Sequence, residues 1–152
     1  MSYTVTLQTV AAHPIAAVRA KALIPDIPKA WKPALDQVWA YLRAHPELQP
    51  GHNVFLYHHP ANRTDAMDID FGVAVARPFT DEGAVKSTAT PAGLVATTVH
   101  VGPYNGLSAA HNAVHAWCSA NTKKIGPASW EIYGDWTEDE SKLETRIVYL
   151  LQ

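Results

Sequence analysis

The sequence lacks several features that would place the chain outside ordinary globular proteins. Cys118 is its only cysteine, which excludes an intramolecular disulfide and a zinc site built from several cysteines. No apolar stretch approaches the roughly 20 residues that a membrane-spanning helix needs. The amino terminus has no positively charged segment followed by an apolar one, so we expect no secretory signal. These absences favour a cytoplasmic protein.

Charge of one sign is also missing. The 12 Lys and Arg residues against 14 Asp and Glu residues leave a net charge of -2, and no basic stripe stands out. Nucleic acids and anionic membranes select basic surfaces, so we predict no direct binding of either. The chain of 152 residues is 47% apolar and 17% charged, which is typical of one folded domain.

Changes of hydrophobic period along the chain predict an α+β fold. A helical stripe of Trp31, Leu35, Val38 and Leu42 predicts a helix from about Ala30 to the region of residue 45. A second helix follows Gly102-Pro103, with Leu107, Ala110, Val114 and Trp117 on one face. Alternating apolar and β-branched residues predict strands at residues 3–10, 15–22, 53–58, 67–76, 92–101, 129–136 and 144–151.

The two halves of the chain share this order of elements. A shift of 76 positions places Val38 on Val114 and Phe55 on Glu131. We therefore predict a single domain over residues 1–152, built from tandem β-α-β-β pseudo-repeats at roughly 1–76 and 77–152. The alternative is two unrelated halves with the same element order.

Such halves predict a central ligand cleft. Each is too small to bury its own apolar face, so the two pack together and leave a groove, where small ligands usually bind. Five Trp, six Tyr and three Phe residues can supply its walls. Among them we expect Trp31, Trp117 and Trp130 to be core residues instead.

Strand alternation around residue 131 sorts the side chains onto two faces. It places Glu131 and Tyr133 on one face and Trp130 on the other, which we expect to pack against a helix. The counterparts of Glu131 and Tyr133 in the first half are Phe55 and Tyr57. One carboxylate among aromatic walls favours a cationic or electron-poor aromatic ligand.

Several motifs resemble the GyrI-like small-molecule-binding family, whose members include effector-binding domains of AraC-type and MerR-type multidrug regulators. The resemblance rests on Trp130-Glu131-Ile132-Tyr133, on His100-Val101-Gly102-Pro103-Tyr104 and on the acidic start of the strand at Asp68. It extends to the closing strand at residues 144–149 and so covers nearly the whole chain.

The resemblance implies a small-molecule ligand, with Glu131 as the principal polar residue at the bottom of the cleft. Some family members sequester drugs or protect DNA gyrase, so the resemblance suggests gyrase or a regulator as a candidate partner. Others detoxify cyclopropane-bearing DNA-alkylating compounds by hydrolysis. We expect no helix-turn-helix before the domain. Val148-Tyr149-Leu150 stands where many members have Tyr-Tyr-Pro, which implies one aromatic wall fewer.

Two functional hypotheses remain open at this point, beside a purely structural role for Glu131. In a hydrolase, burial would raise the pKa of Glu131 and make it a base for a water molecule, while Tyr133 or Tyr104 would stabilise the developing oxyanion. In a binding protein, Glu131 would pair with a ligand cation. We predict Glu131 and Tyr133 as catalytic candidates and the following ligand contacts: Trp39, Phe55, Tyr57, Phe71, Tyr104, Trp136 and Tyr149.

Other polar clusters receive structural interpretations. His111 and His115 have a metal-compatible spacing, but we expect them on a solvated helix face. We expect His58 and His59 at a surface turn, and Asp68 and Asp70 in cross-strand or surface charge roles. A related duplicated fold binds haem through histidine; for this chain we predict no metal and no cofactor.

Overall fold

A computed structural model describes residues 3–62 and 65–152. Within these residues the chain forms one eight-stranded antiparallel sheet and two long helices, which confirms the predicted α+β class. The strands are β1 (Thr6–Val10), β2 (His13–Ala22), β3 (Asn53–His58), β4 (Met67–Ala74), β5 (Lys86–Thr90), β6 (Gly93–Val101), β7 (Ile125–Tyr133) and β8 (Glu144–Leu151). The helices are α1 (Ile27–Arg43) and α2 (Leu107–Ala120).

Local chemistry explains where the elements differ from the predicted ones. Helix α1 begins earlier than expected because Pro28 is accommodated in its first turn. Strand β7 runs through Gly126-Pro127, where a Cβ on Gly126 would lie 3.0 Å from the Leu150 carbonyl oxygen. Strand β5 was not predicted, because its sequence Lys-Ser-Thr-Ala-Thr lacks apolar alternation and it is held by pairing with β2.

The strand order is β1-β6-β8-β7-β3-β4-β2-β5. The units β2-α1-β3-β4 and β6-α2-β7-β8 therefore form the two halves of the sheet. They meet at the centre, where β3 pairs with β7. Phe55 pairs directly with Glu131 across that boundary, as expected for two equivalent positions beside a pseudo-twofold axis. A common origin of the two halves stays a prediction.

The sheet curls because its ends are tied together. Only Ala11 and Ala12 separate β1, at one edge, from β2, which lies next to the other edge. Apolar side chains from both ends accordingly meet in one cluster on the helix-free face, which includes Val10, Ile15 and Trp130. The expectation that Trp130 packs against a helix is therefore wrong, since its face is buried by the curl of the sheet itself.

The helices cover the opposite face and leave its centre open. Helix α1 packs on β2 and β4 through Ala34, Leu35, Val38 and Leu42. Helix α2 packs on β6 and β8 through a second cluster that includes Ala110, Val114 and Cys118. Strands β3 and β7 thereby become the floor of a cleft between the two helices. No helix of the described residues is long and apolar enough to cross a membrane.

Candidate functional site

The cleft between α1 and α2 has a volume of about 1490 Å³, larger than the roughly 300–1,000 Å³ of common ligand pockets. Both helices and both floor strands line it. It lies where the duplicated pattern predicts it, because a two-helix layer over a wide sheet leaves the middle strands uncovered. None of the lining side chains among the described residues is a lysine or an arginine.

Glu131 lies at the floor of the cleft and is only 4% exposed. The Tyr57 hydroxyl donates a hydrogen bond to its Oε1 atom at 2.5 Å, and the Tyr133 hydroxyl donates to the same oxygen at 2.7 Å. The His111 Nε2 atom donates to Oε2 at 2.7 Å. Three donors therefore satisfy a buried carboxylate that would otherwise be strongly destabilising.

These contacts reverse the expected direction of the Glu131 pKa. Burial by itself raises the pKa of this carboxyl, as the sequence argument supposed. The hydrogen bond and charge of His111, together with the bonds from Tyr133 and Tyr57, outweigh burial and hold the pKa below its ordinary value. Glu131 is therefore a stably ionised group, and the expectation of a raised pKa is wrong.

His111 is a residue of the cleft that the sequence analysis did not place there. The stripe containing it was expected to face solvent, but its ring turns into the cleft and its side chain is 22% exposed. Its Nδ1 atom lies 2.6 Å from the Tyr149 hydroxyl, and its Nε2 atom contacts Glu131. Phenol, imidazole and carboxylate therefore form one hydrogen-bonded chain.

The two phenols that contact Glu131 are held in their neutral form. Burial raises the pKa of Tyr57 well above its ordinary value, and the nearby charge of Glu131 adds to the effect. The pKa of Tyr133 is raised well above its ordinary value for the same two reasons. Each phenol keeps its proton and remains a donor to the carboxylate.

Aromatic rings surround this charge. Phe55 packs edge-on against Tyr133, with ring centroids 4.9 Å apart, and Tyr104 packs edge-on against the same ring at 5.4 Å. Trp39 lines the cleft and donates from Nε1 to the Asn53 side chain at 3.0 Å. Trp31, expected in the core, instead lines the cleft with its ring 6.3 Å from that of Phe55.

The remaining predicted contacts occupy different depths. Tyr149 is almost fully buried and lines the cleft beside His111, whereas Trp136 is 72% exposed and lies at the rim. Phe71 is placed differently from the sequence expectation. It is completely buried beneath Phe55, at a ring distance of 4.8 Å, so it supports the floor without lining the cavity.

The neighbouring polar pairs divide between structure and cleft. Asp70 forms an ion pair with Arg19 at 2.8 Å and contacts His58, and Asp68 lies 3.5 Å from Lys21. Of the two roles expected for these aspartates, cross-strand or surface charge, the structure shows cross-strand pairs with β2. His59 is not the surface residue that was expected, since it lines the cleft.

The His-x-Gly-Pro-Tyr motif shapes the entry to α2. His100 is buried, with Nδ1 2.9 Å from the Tyr3 hydroxyl and Nε2 2.9 Å from the Pro103 carbonyl oxygen. A Cβ on Gly106 would lie 2.9 Å from the His100 ring, so the loop closes tightly over it. The motif therefore positions Tyr104 at the rim of the cleft. No group of metal-binding side chains occurs within residues 3–62 and 65–152.

Comparisons with known proteins agree with this geometry. The profile of the GyrI-like small molecule binding domain matches residues 3–151. The EcmrR C-terminal domain has a similar structure, with a TM-score of 0.82, 23% identity and coverage of 100% of this chain and 99% of that one. No curated protein gives a significant sequence match.

Two more distant structures share the fold. A hydrolase from Listeria innocua has a TM-score of 0.68 at 12% identity, over 97% of this chain and 91% of that one. SAV2435, solved with bound tetraphenylphosphonium, has a TM-score of 0.64 at 13% identity, over 100% of this chain and 94% of that one. At these identities the likeness establishes the fold.

Proposed function

The chain belongs to the GyrI-like family of small-molecule-binding domains, and from that membership we propose that its cleft binds hydrophobic aromatic ligands carrying a positive charge. The observation that carries the proposal is Glu131, a buried carboxylate with a lowered pKa at the bottom of an aromatic cleft. A fixed negative charge in a largely apolar site attracts cations more strongly than the same charge in water.

The rest of the lining supports a cationic ligand. The described lining contains no lysine or arginine that would repel one, and Phe55, Tyr104 and Trp31 offer ring faces or edges for stacking and cation–π contact. SAV2435, which shares the fold, was solved with tetraphenylphosphonium, a cation shielded by four aromatic rings.

The bonding of Glu131 narrows the kind of cation. An ionised carboxylate has about four lone-pair positions, and Tyr57, Tyr133 and His111 already fill three of them. Only one position remains, so a ligand cation that directs several N–H donors at the carboxylate could not bond fully to it without displacing one of these bonds. A quaternary onium cation has no such donor and only needs proximity to the charge, so it fits the arrangement better.

Isothermal titration calorimetry with tetraphenylphosphonium tests this function. We expect Glu131→Gln to weaken binding at least about tenfold, equivalent to about 1.4 kcal/mol, because the amide keeps the shape and loses the charge. Glu47→Gln is the matched control: it makes the same chemical change at an exposed position outside the cleft and should leave affinity unchanged. Neutral triphenylphosphine oxide should bind wild type and Glu131→Gln about equally.

Equal affinity of wild type and Glu131→Gln for tetraphenylphosphonium would refute the role of the charge. Absence of binding to wild type would refute the proposal for this cation. Thermal unfolding of each variant shows whether the site was compared in folded protein.

A hydrolase acting on cyclopropane-bearing alkylating compounds is the second candidate. The chain of Tyr149, His111 and Glu131 offers a route for proton movement, and a hydrolase shares the fold. Water would bond to a ring carbon as the strained C–C bond breaks, its proton would pass to Glu131, and the electron pair would move to a conjugated carbonyl oxygen that is then protonated.

The surroundings of Glu131 favour ligand binding over this hydrolysis. A carboxylate with three hydrogen-bond donors and a lowered pKa is a weak base. Incubation of wild type and Glu131→Gln with such an alkylator, followed by mass spectrometry, separates the two functions. A product in which the ring is opened and water is added, formed by wild type alone, would show that hydrolysis and not binding is the principal function.

A further inference from the structure

The side of the cleft formed by α2 is rich in groups that both donate and accept hydrogen bonds. Ser108, His111, Asn112 and His115 all line the cavity from this helix. Their spacing of three or four residues brings them onto one helical face. His111 contacts Glu131, and the other three side chains extend the polar surface of this wall along the helix.

The floor continues this polar region beyond Glu131. His59 Nε2 lies 2.7 Å from the Ser129 hydroxyl oxygen, and both residues line the cavity. The ring of His59 is 5.9 Å from that of Tyr149, and the ring of His115 is 5.0 Å from it. The two histidines therefore flank Tyr149, one on the floor and one on α2.

The charges nearby determine which polar groups fit there. Glu131 disfavours a second anion, and the described lining has no lysine or arginine to balance one. The pKa of His59 is lowered by burial and by the neighbouring His115, His111 and His58, which favours its neutral ring. A neutral hydroxyl or carbonyl group matches this environment, whereas a phosphate or carboxylate does not.

We propose that Ser108, Asn112, His115, His59 and Ser129 form a polar subsite that binds hydroxyl or carbonyl groups of the ligand. The aromatic part of the same ligand lies against α1, on Trp31, Leu35 and Trp39, which line the opposite side. This inference rests on the proposed binding of cationic aromatic ligands and narrows that class to those that also carry neutral oxygen substituents along one edge. Such a ligand binds in one orientation.

Calorimetry with flavone and its hydroxylated analogue galangin measures the subsite directly, because the two compounds share a ring system and differ in hydroxyl groups. We expect wild type to bind galangin about tenfold more tightly than flavone, as one or two neutral hydrogen bonds would give. The double variant Asn112→Leu/His115→Phe approximates the shape of both side chains and removes their hydrogen-bonding groups. In it the two affinities should become nearly equal, through weaker galangin binding.

His13→Phe is the control, since His13 is exposed and lies outside the cleft; it should keep the wild-type preference. Equal affinities for galangin and flavone in wild type, or an unchanged preference in the double variant, would overturn the subsite. Tetraphenylphosphonium has no oxygen and separates the two levels. If wild type binds tetraphenylphosphonium but does not prefer galangin to flavone, the subsite is wrong and the proposed function stands. If wild type binds none of the three compounds, both the subsite and the proposed function are wrong.

Discussion

The two sides of the cleft have the same backbone arrangement but different side-chain chemistry. At equivalent positions, 76 residues apart, Leu35 corresponds to His111 and Trp39 to His115, and all four line the cavity. On the floor, Phe55 corresponds to Glu131 and pairs directly with it. At these three positions the first half thus contributes apolar and aromatic surface, and the second half contributes charge and hydrogen-bonding groups.

This difference shows how a pseudosymmetric fold can form a site that is chemically asymmetric. Two carboxylates at the paired positions would repel each other and raise each other's pKa, and two phenylalanines would provide no charge. One of each places a single charge beside an aromatic ring at the pseudo-twofold axis. Tyr57 and Tyr133, the one tyrosine pair in register near the axis, both donate to the same Glu131 oxygen.

The largest effect is expected when His111 is replaced by the residue at the equivalent position of the first half. His111→Leu gives α2 the residue found at position 35, removes a donor from buried Glu131 and leaves the Tyr149 hydroxyl without this nitrogen. We expect the free energy of unfolding to fall by about 3 kcal/mol, as for other buried pairs that lose one partner. Urea denaturation measures it.

His13→Leu controls for the change of residue type, because His13 is exposed and should alter stability by less than about 0.5 kcal/mol. A loss below about 1 kcal/mol in His111→Leu would contradict a stabilising role for the His111–Glu131 contact. It would also show that Glu131 finds other partners when the histidine is absent.

The element order and the central acid could be read from the sequence for physical reasons. Period-2 and period-3.6 patterns report burial on one side of an element, and burial dominates in β3, β8 and both helices. Alternation along β7 also separates Glu131 from Trp130 correctly. These predictions depend on local geometry, which a single chain specifies well.

The rest depends on what covers each face, which periodicity does not report. His111 belongs to the polar stripe of an amphipathic helix, and only the second helix across the groove turns that stripe into a wall. Trp31 lies on the apolar stripe near the start of α1, where its ring faces the open cleft beside Phe55. Trp130 is covered by the curl of the sheet, a consequence of the short connection at Ala11 and Ala12.

Tyr57 and Tyr133 occupy equivalent positions and donate to the same oxygen of Glu131, so at these positions the two halves should behave alike. Each raised pKa means that the folded state retains a proton which the unfolded state loses near pH 10. Their contribution to stability is therefore complete below about pH 10 and is lost as the pH rises toward the raised values. We expect Tyr57→Phe and Tyr133→Phe each to cost about 1.5 kcal/mol at neutral pH, the value for a hydrogen bond to a charged group.

Urea denaturation at neutral pH, together with phenolate absorbance during an alkaline titration, checks this equivalence. Each variant should lose part of the late-ionising absorbance, by equal amounts. Two clearly unequal stability losses would show that Glu131 depends on one half more than on the other. Ionisation of both phenols near pH 10 in folded protein would contradict the raised pKa values.

The smallest expected effect is on the apolar side, at Trp31. Its counterpart is Leu107, so Trp31→Leu copies the second half into the first. Because Trp31 is 37% exposed, the free energy of unfolding should change by no more than about 0.5–1 kcal/mol. Affinity for tetraphenylphosphonium should fall about threefold to fivefold, through the loss of one aromatic surface. Unchanged affinity in calorimetry would mean that the ligand lies deeper, on Phe55 and Trp39. A loss as large as that of Glu131→Gln would mean instead that aromatic contact, and not the buried charge, dominates recognition, and the contrast between the two halves would then lie in shape more than in electrostatics.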